Sequence, residues 1–326
     1  MIYDCFMFFN ELDLLEIRLN TLNNYVDKFV IVEATKNFSF KEKPLYFEQN
    51  KDRFKQFNDK IIHIVVDKYP PKDEINDWTM ETFQRNCISD GLKDCKDDDI
   101  IIISDIDEIP RPEFIKKYYN PDRITAFNLS VYIYFLNNYT LMKWTRGPKI
   151  LSYKNFKHIL DDIDYSKMYA IDPNVNQGTT ATLIRIYEGK LQTHIKNAGW
   201  HFSYMGNAQN IIQKYESMTE NHRDFKSDED LYKLIHAKKF MDTWYFFPVG
   251  IDDSFPKYLK DNQDKYSDMI IHDGCKKFSL KYKIWYKARY ILDNIFAIRT
   301  EIRCGVKRTN LILFGIKMRI RKESLK

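Results

Sequence analysis

Three acids, Asp105, Asp107 and Glu108, fall within four residues in "DDIIIISDIDEIPRP", directly after four isoleucines and a serine. Carboxylates are hard oxygen ligands, and two of them one residue apart suit Mg²⁺ or Mn²⁺, which could bridge a diphosphate. The same pair could serve phosphotransfer as nucleophile and general acid, or it could be a solvated turn without chemistry. An acid trio crowded at the end of a buried strand repels itself, and a cation removes that repulsion. The cation reading therefore leads.

The phosphotransfer reading has a template in the haloacid dehalogenase-like phosphohydrolases, where a hydrophobic strand also runs into D-x-D and Asp105 would be the nucleophile. In that group the nucleophile ends the first strand of the sheet. Here three strand-like segments come before it, and "HDGCKK" does not supply the later acid motif.

The elements that must position the acids are legible as alternation. "IYDCFMFF", "DKFVIVEA", "KIIHIVVD" and "DDIIIIS" read as buried strands, and "ELDLLEIRLNTLNNY" carries Leu12, Leu15, Leu19 and Leu22 at helical spacing. A second helix, closed near Gly91, is expected within "INDWTMETFQRNCISDGLKDC". Apolar runs without alternation suit strands covered on both faces. Strands alternating with helices predict an α/β fold with a mostly parallel central sheet flanked by helices. Ligands of such sheets bind beyond the carboxyl ends of the strands, where Asp105 and Asp107 stand, both able to reach one side if the chain stays extended. After Pro112 the reading is mixed: strands in "RITAFNLSVYIYFLNN" and "ATLIRIYEG", an apolar "AGWHFSYMG", and helices over 208–219 and 228–239.

With 326 residues, 44% hydrophobic and 30% charged, the chain can bury a large core. Five cysteines without metal-type pairing read as free thiols. The net charge is +5, yet nine Lys or Arg against two Glu fall from Arg299 onward, so the body is slightly acidic and the tail basic. Residues 1–275 are expected to form the main domain and 276–326 a basic, aromatic-rich helical tail. Leu311–Phe314 and Ile316 among its basic residues could lie on an anionic membrane surface, and no motif accompanies the charge that would indicate nucleic acid. The opening "MIYDCFMFFNELD" places Asp4 inside its apolar run, the wrong pattern for a signal peptide or anchor, so a cytoplasmic and at most peripheral location is expected.

"SDIDEIPRP" resembles the D-x-D-E-I-P motif of glycosyltransferase family 17, which includes β-1,4-mannosyl-glycoprotein N-acetylglucosaminyltransferases. The resemblance extends to "ELDLLEIRLNTLNNYVDKFVIVEA", to "KIIHIVVDKYPP" with Trp78, to "AGWHFS" and to "FPKYL", in consistent order over about residues 1–270. It implies a GT-A fold and inverting transfer from a UDP-sugar, UDP-GlcNAc first, to a saccharide acceptor. The absence of an anchor points to a lipid-linked or surface polysaccharide precursor rather than a Golgi glycan.

In such an enzyme Asp105 and Asp107 would position Mn²⁺ or Mg²⁺, with Asp107 the direct ligand and Asp105 nearer the ribose or a metal water. His201 could add an imidazole ligand or a diphosphate hydrogen bond, and Trp200 a wall for sugar or base. Glu33 and Thr35 end the second strand, where they could read the nucleoside. Arg85 with Asn86 could contact the diphosphate or the base, and Arg146 with Lys149 in "WTRGPKI" could meet phosphate or acceptor. Inversion needs a general base, and Glu108, Asp162, Asp164, Glu188 and Glu216 all qualify. A protein that binds UDP or glycan without turnover is the non-enzymatic alternative.

Overall fold

Each residue of Ile2–Phe8 is buried, because this first strand, β1, is covered on both faces. The computed structural model describes residues 1–69, 79–158, 181–206, 211–214, 239–240, 244–273 and 275, single residues at 284, 288, 292 and 295, and 296–303, 306–313 and 316–324. The chain divides into two compact units, one made of Met1–Val131, Lys143–Ser203 and Asp252–Lys265, the other of Tyr132–Met142, Tyr204–Ile251 and Tyr266–Lys326.

In the first unit, β1 is followed by α1 (Leu12–Leu22), β2 (Lys28–Ala34), α2 (Tyr46–Asn50), β3 (Ile61–Val66), α3 (Thr79–Asn86), β4 (Ile100–Asp105), β5 (Glu108–Pro110), α4 (Pro112–Tyr118) and β6 (Ile124–Phe127). β7 (Leu129–Ile133) and β8 (Asn138–Trp144) lead out of it and back, and β9 (Lys149–Ser152), α5 (Tyr153–His158), α6 (Ala181–Ile186), β10 (Gln192–Ile195) and β11 (Gly199–Ser203) complete its strands.

Its central sheet has seven strands in the order β10-β6-β9-β4-β1-β2-β3. β3, β2, β1 and β4 run parallel, so Phe8, Ala34 and Asp105 end on one edge. The expectation of a mostly parallel sheet is corrected by β9, which runs antiparallel to both β4 and β6 and makes the sheet mixed. Short strands such as "KILS" carry no direction in their composition; the return of the chain from β8 sets it.

The strand pleat sorts the core. Ile2, Phe6 and Phe8 pack with Leu15, Leu19 and Leu22 of α1 on one face. Tyr3 and Cys5 pack on the other with Ile88, Leu92, Leu183 and Ile184. Gly91, expected to close a helix, instead lies in a 3₁₀ turn over β2, where an added Cβ would stand 2.4 Å from Cγ1 of Val30. Ala181–Ile186 is a helix, not the strand expected. Ala181 through Arg185 are all buried, so no polar face marks the helical period.

The second unit includes β12 (Lys239–Phe240) and β13 (Trp244–Pro248); β13 pairs antiparallel with β12 and with the start of β8. Helix α7 (Lys257–Asp261) belongs to the first unit. The helical tail is corrected over 296–324. There β14 (Phe296–Arg303), β15 (Val306–Leu313) and β16 (Ile316–Ser324) form an antiparallel sheet. "IKMRIR" alternates apolar and basic residues with period two, and each two-residue connection contains a glycine, which favours hairpins over a helix. Ile284, Ala288, Leu292 and Ile295 before it are helical. Of the two helices expected after residue 207, residues 211–214 are helical and Lys239 is in β12; the rest lies outside the described residues. Among the described residues no helix is long and apolar enough to cross a membrane.

Candidate active site

The chain does not stay extended after Asp105. It turns at Ile106 and Asp107, and Glu108 begins β5. β11 pairs antiparallel with β5, setting His201 opposite Glu108, while Phe202 N–H donates to the Asp107 carbonyl at 2.9 Å. Gly199 permits this pairing. Its φ is +157°, and a Cβ there would lie 2.2 Å from the Ile109 carbonyl oxygen.

Two arginines hold Asp105. Arg85 on α3 donates to Oδ1 at 3.1 Å, and Arg185 on α6 to Oδ2 at 3.3 Å. Burial alone would raise the Asp105 pKa, but the two guanidiniums outweigh it and hold the carboxyl below its ordinary value. Arg85 also pairs with Glu81, and these carboxylates keep it firmly charged against burial. Glu108 is fully buried. Its Oε1 accepts from Arg185 and from the Trp144 indole, and its Oε2 from the Asp105 N–H at 3.2 Å. Burial, reinforced by Asp105 and Asp107, pushes its pKa up to about 7 despite Arg185.

Asp107 Oδ1 stands 3.6 Å from His201 Nε2. The His201 ring leans on Trp144, with centroids 4.8 Å apart, and its buried Nδ1 has no hydrogen-bond partner. The buried Nε atoms of Arg85 and Arg185 are likewise unsatisfied. Buried donors without partners are uncommon, and here they surround one acid cluster.

Among the described residues no group of three or more His, Cys, Asp or Glu is arranged to hold a metal ion. A nucleotide-site Mg²⁺ or Mn²⁺ needs less, because one or two carboxylates suffice when phosphates and waters complete its shell. Asp107 with His201 fits that requirement. Both oxygens of Asp105 are held by arginine.

Other expected site residues stand elsewhere. Glu33 is fully buried, accepting from Phe47 N–H at 2.9 Å and facing His63 Nε2 at 3.1 Å. It fastens β2 to its neighbours rather than opening onto the strand edge. Thr35 shares a hydrogen bond with Tyr69 at 2.9 Å. Trp200 is buried on the opposite face of β11 from His201, donating to the Ser254 carbonyl under the Arg111 guanidinium, and does not form an exposed wall. Arg146 is exposed on the β8–β9 connection. Of the general-base candidates, Glu108 has both oxygens engaged and Glu188 pairs with Lys149; Asp162, Asp164 and Glu216 lie outside the described residues, as does Trp78.

Lys149 is corrected from a phosphate contact to a buried structural cation. Its ammonium donates to the Tyr187 carbonyl at 3.2 Å, Glu188 at 3.3 Å and Gln192 at 2.5 Å. Burial lowers its pKa to about 8, with Glu188 pulling the other way. The unfolded chain therefore holds this proton more tightly than the folded one, and stability gains as pH rises from about 8 towards 10.5. Urea melts of wild type and Lys149→Met should show this directly. Relative to the variant, wild type should gain roughly 2 kcal/mol between pH 7.5 and 9.5. A pH-independent difference would refute the assignment.

Arg185, Trp144 and Arg18, the last described below, were not foreseen. Arg18 alone left a signal, a charge between Leu15, Leu19 and Leu22 on the apolar face of α1.

Comparison with known proteins gives the cluster a context. The chain is 26% identical over 284 residues to the Beta-1,4-mannosyl-glycoprotein 4-beta-N-acetylglucosaminyltransferases of Rattus norvegicus and of Homo sapiens. Each match covers 80% of this chain and 53% of the relative, so the chain spans about half the length of the curated relatives it matches. Residues 1–159, which include α1, β4 and the acid turn, match the sequence model of glycosyltransferase family 17, and the resemblance read from "SDIDEIPRP" is to that same family.

Proposed function

We propose that the protein is a metal-dependent, inverting glycosyltransferase of GT-A architecture. It moves a sugar, GlcNAc foremost, from a UDP-sugar to a saccharide acceptor such as a glycan or polysaccharide precursor. One observation carries the reading. At the carboxyl end of β4, Asp107 faces His201 while two buried guanidiniums flank Asp105, within the segment similar to glycosyltransferase family 17.

Asp107 and His201 would hold Mn²⁺ or Mg²⁺. Bound there with the diphosphate, the cation supplies Lewis-acid neutralisation of the charge on departing UDP. Asp105, kept ionised by Arg85 and Arg185, is suited to a metal water or the ribose. Both arginines also offset the carboxylate charge that would otherwise repel the anionic donor. Trp144 holds the His201 ring and Glu108 together, so the imidazole keeps one orientation towards Asp107. A phosphohydrolase is disfavoured because Asp105 would have to leave two guanidiniums to attack phosphorus.

A thermal-shift series with UDP, GDP, ADP and CDP, each with and without MnCl₂, tests the reading. UDP should stabilise only when Mn²⁺ is present, by about 3 kcal/mol at a hundredfold excess over Kd. Indifference to every nucleoside diphosphate would discard the proposal. Stabilisation without UDP release from UDP-GlcNAc and saccharide acceptors would favour a silent binding protein. Phosphate release from a phosphomonoester, with covalent labelling of Asp105, would favour the hydrolase.

A further inference from the structure

Arg18 is fully buried on α1, yet half of its hydrogen bonds go to carbonyls of the acid turn. Its Nη1 donates to the carbonyls of Asp105 at 2.8 Å, Ile106 at 3.2 Å and Glu108 at 3.0 Å. Its Nη2 reaches Ser104 Oγ at 2.5 Å and Asp4 Oδ1 at 2.6 Å, and Nε reaches Asp4 Oδ2 at 2.8 Å. The remaining carbonyl of the turn, that of Asp107, accepts from Phe202 on β11. All four carbonyls from residue 105 to 108 are therefore held, three of them by one side chain.

We propose that Arg18 is a positioning residue for the metal and diphosphate site, fixing the backbone of the turn that carries Asp107. The inference rests on the reading of that turn as the donor site and adds the group that shapes it. Asp4 cancels the Arg18 charge, so the turn receives directed donors rather than net positive charge. Only a guanidinium can do this, because its planar fork reaches a bidentate carboxylate and several carbonyls together. A lysine ammonium donates from a single point. The Phe6 ring, 4.3 Å from the guanidinium carbon, further confines the fork. An ion pair kept only for stability would be a poor use of buried charge, since such pairs often do no better than apolar replacements.

The test is MnCl₂ titration at fixed UDP, read by thermal shift and calorimetry. Arg18→Lys should raise the half-saturating Mn²⁺ concentration at least tenfold, with an unchanged far-ultraviolet circular dichroism spectrum. Asp4→Asn/Arg18→Met removes both buried charges together and should give the same increase if the lysine variant folds poorly. Ser104→Ala leaves Nη1 on the turn carbonyls, so its half-saturation should stay within twofold of wild type.

Lower melting temperatures with half-saturation unmoved in both Arg18 variants would overturn the inference and leave Arg18 a structural residue. Aggregation of both variants would count the same way. Failure of the wild type itself to respond to Mn²⁺ with UDP would overturn the donor-site reading as well, so the two failures are distinguishable.

Discussion

Asp107→Ala is expected to lose the Mn²⁺-dependent stabilisation by UDP and to slow UDP release from a UDP-sugar by at least about a hundredfold. Asp107 sits in the turn after β4 and is the carboxylate that faces His201. Asp105 cannot replace it without giving up Arg85 or Arg185. The ligand-free variant should nevertheless keep the wild-type far-ultraviolet circular dichroism spectrum, and it relieves the repulsion that Asp107 adds to Asp105 and Glu108. Loss of ligand response without loss of fold is the signature of a residue retained for function at some expense of stability. Asp107→Asn keeps the shape but weakens the ligand charge and should fall between the two. Calorimetry of MnCl₂ with UDP and a coupled UDP-release assay measure both effects. Full metal-dependent UDP binding by Asp107→Ala would sink the assignment.

The acid cluster was read as a site from the sequence, and other parts of the same frame also break local patterns. Asp4 interrupts a buried strand, Arg18 interrupts an apolar helix face, and the acids follow an all-isoleucine run. Each is costly in a core unless paired, so each points to a partner elsewhere in the chain. What the sequence could not say was which partner. Asp4 and Arg18 are fourteen residues apart and meet only because α1 folds back across β1. Arg185 was hidden differently, in a β-branched segment that reads as a strand and forms a helix buried on all sides. Glu33, Trp200 and Lys149 share a trait that the sequence does not show. Each side chain points into the protein and finds its partners there. The tail misled by charge, since basic residues among apolar ones fit a helix face unless the period-two alternation is weighed first.

Arg185→Met should produce the largest loss of stability of any single change at the site, about 3–5 kcal/mol at pH 8, in line with breaking a buried ion pair from one side. Arg185 serves Asp105 and Glu108 at once, and Glu108 is fully buried with the Trp144 indole and the Asp105 N–H as its other donors among the described residues. The deficit should depend on pH in a defined direction. Glu108 titrates near 7 in the intact protein, so at pH 5.5 it is largely protonated and needs Arg185 less. Without Arg185 its pKa rises further, and stability falls as pH passes through that range. The difference from wild type should therefore be smaller at pH 5.5 than at pH 8.5, with a residue from Asp105 present at both. Arg185→Met/Glu108→Gln removes both charges and should recover at least half of the loss, a coupling that denaturant melts of the four-protein cycle would quantify. Additive losses with no pH dependence would mean that Arg185 and Glu108 do not act as a pair. The buried frame behind Asp105 would then need a different explanation.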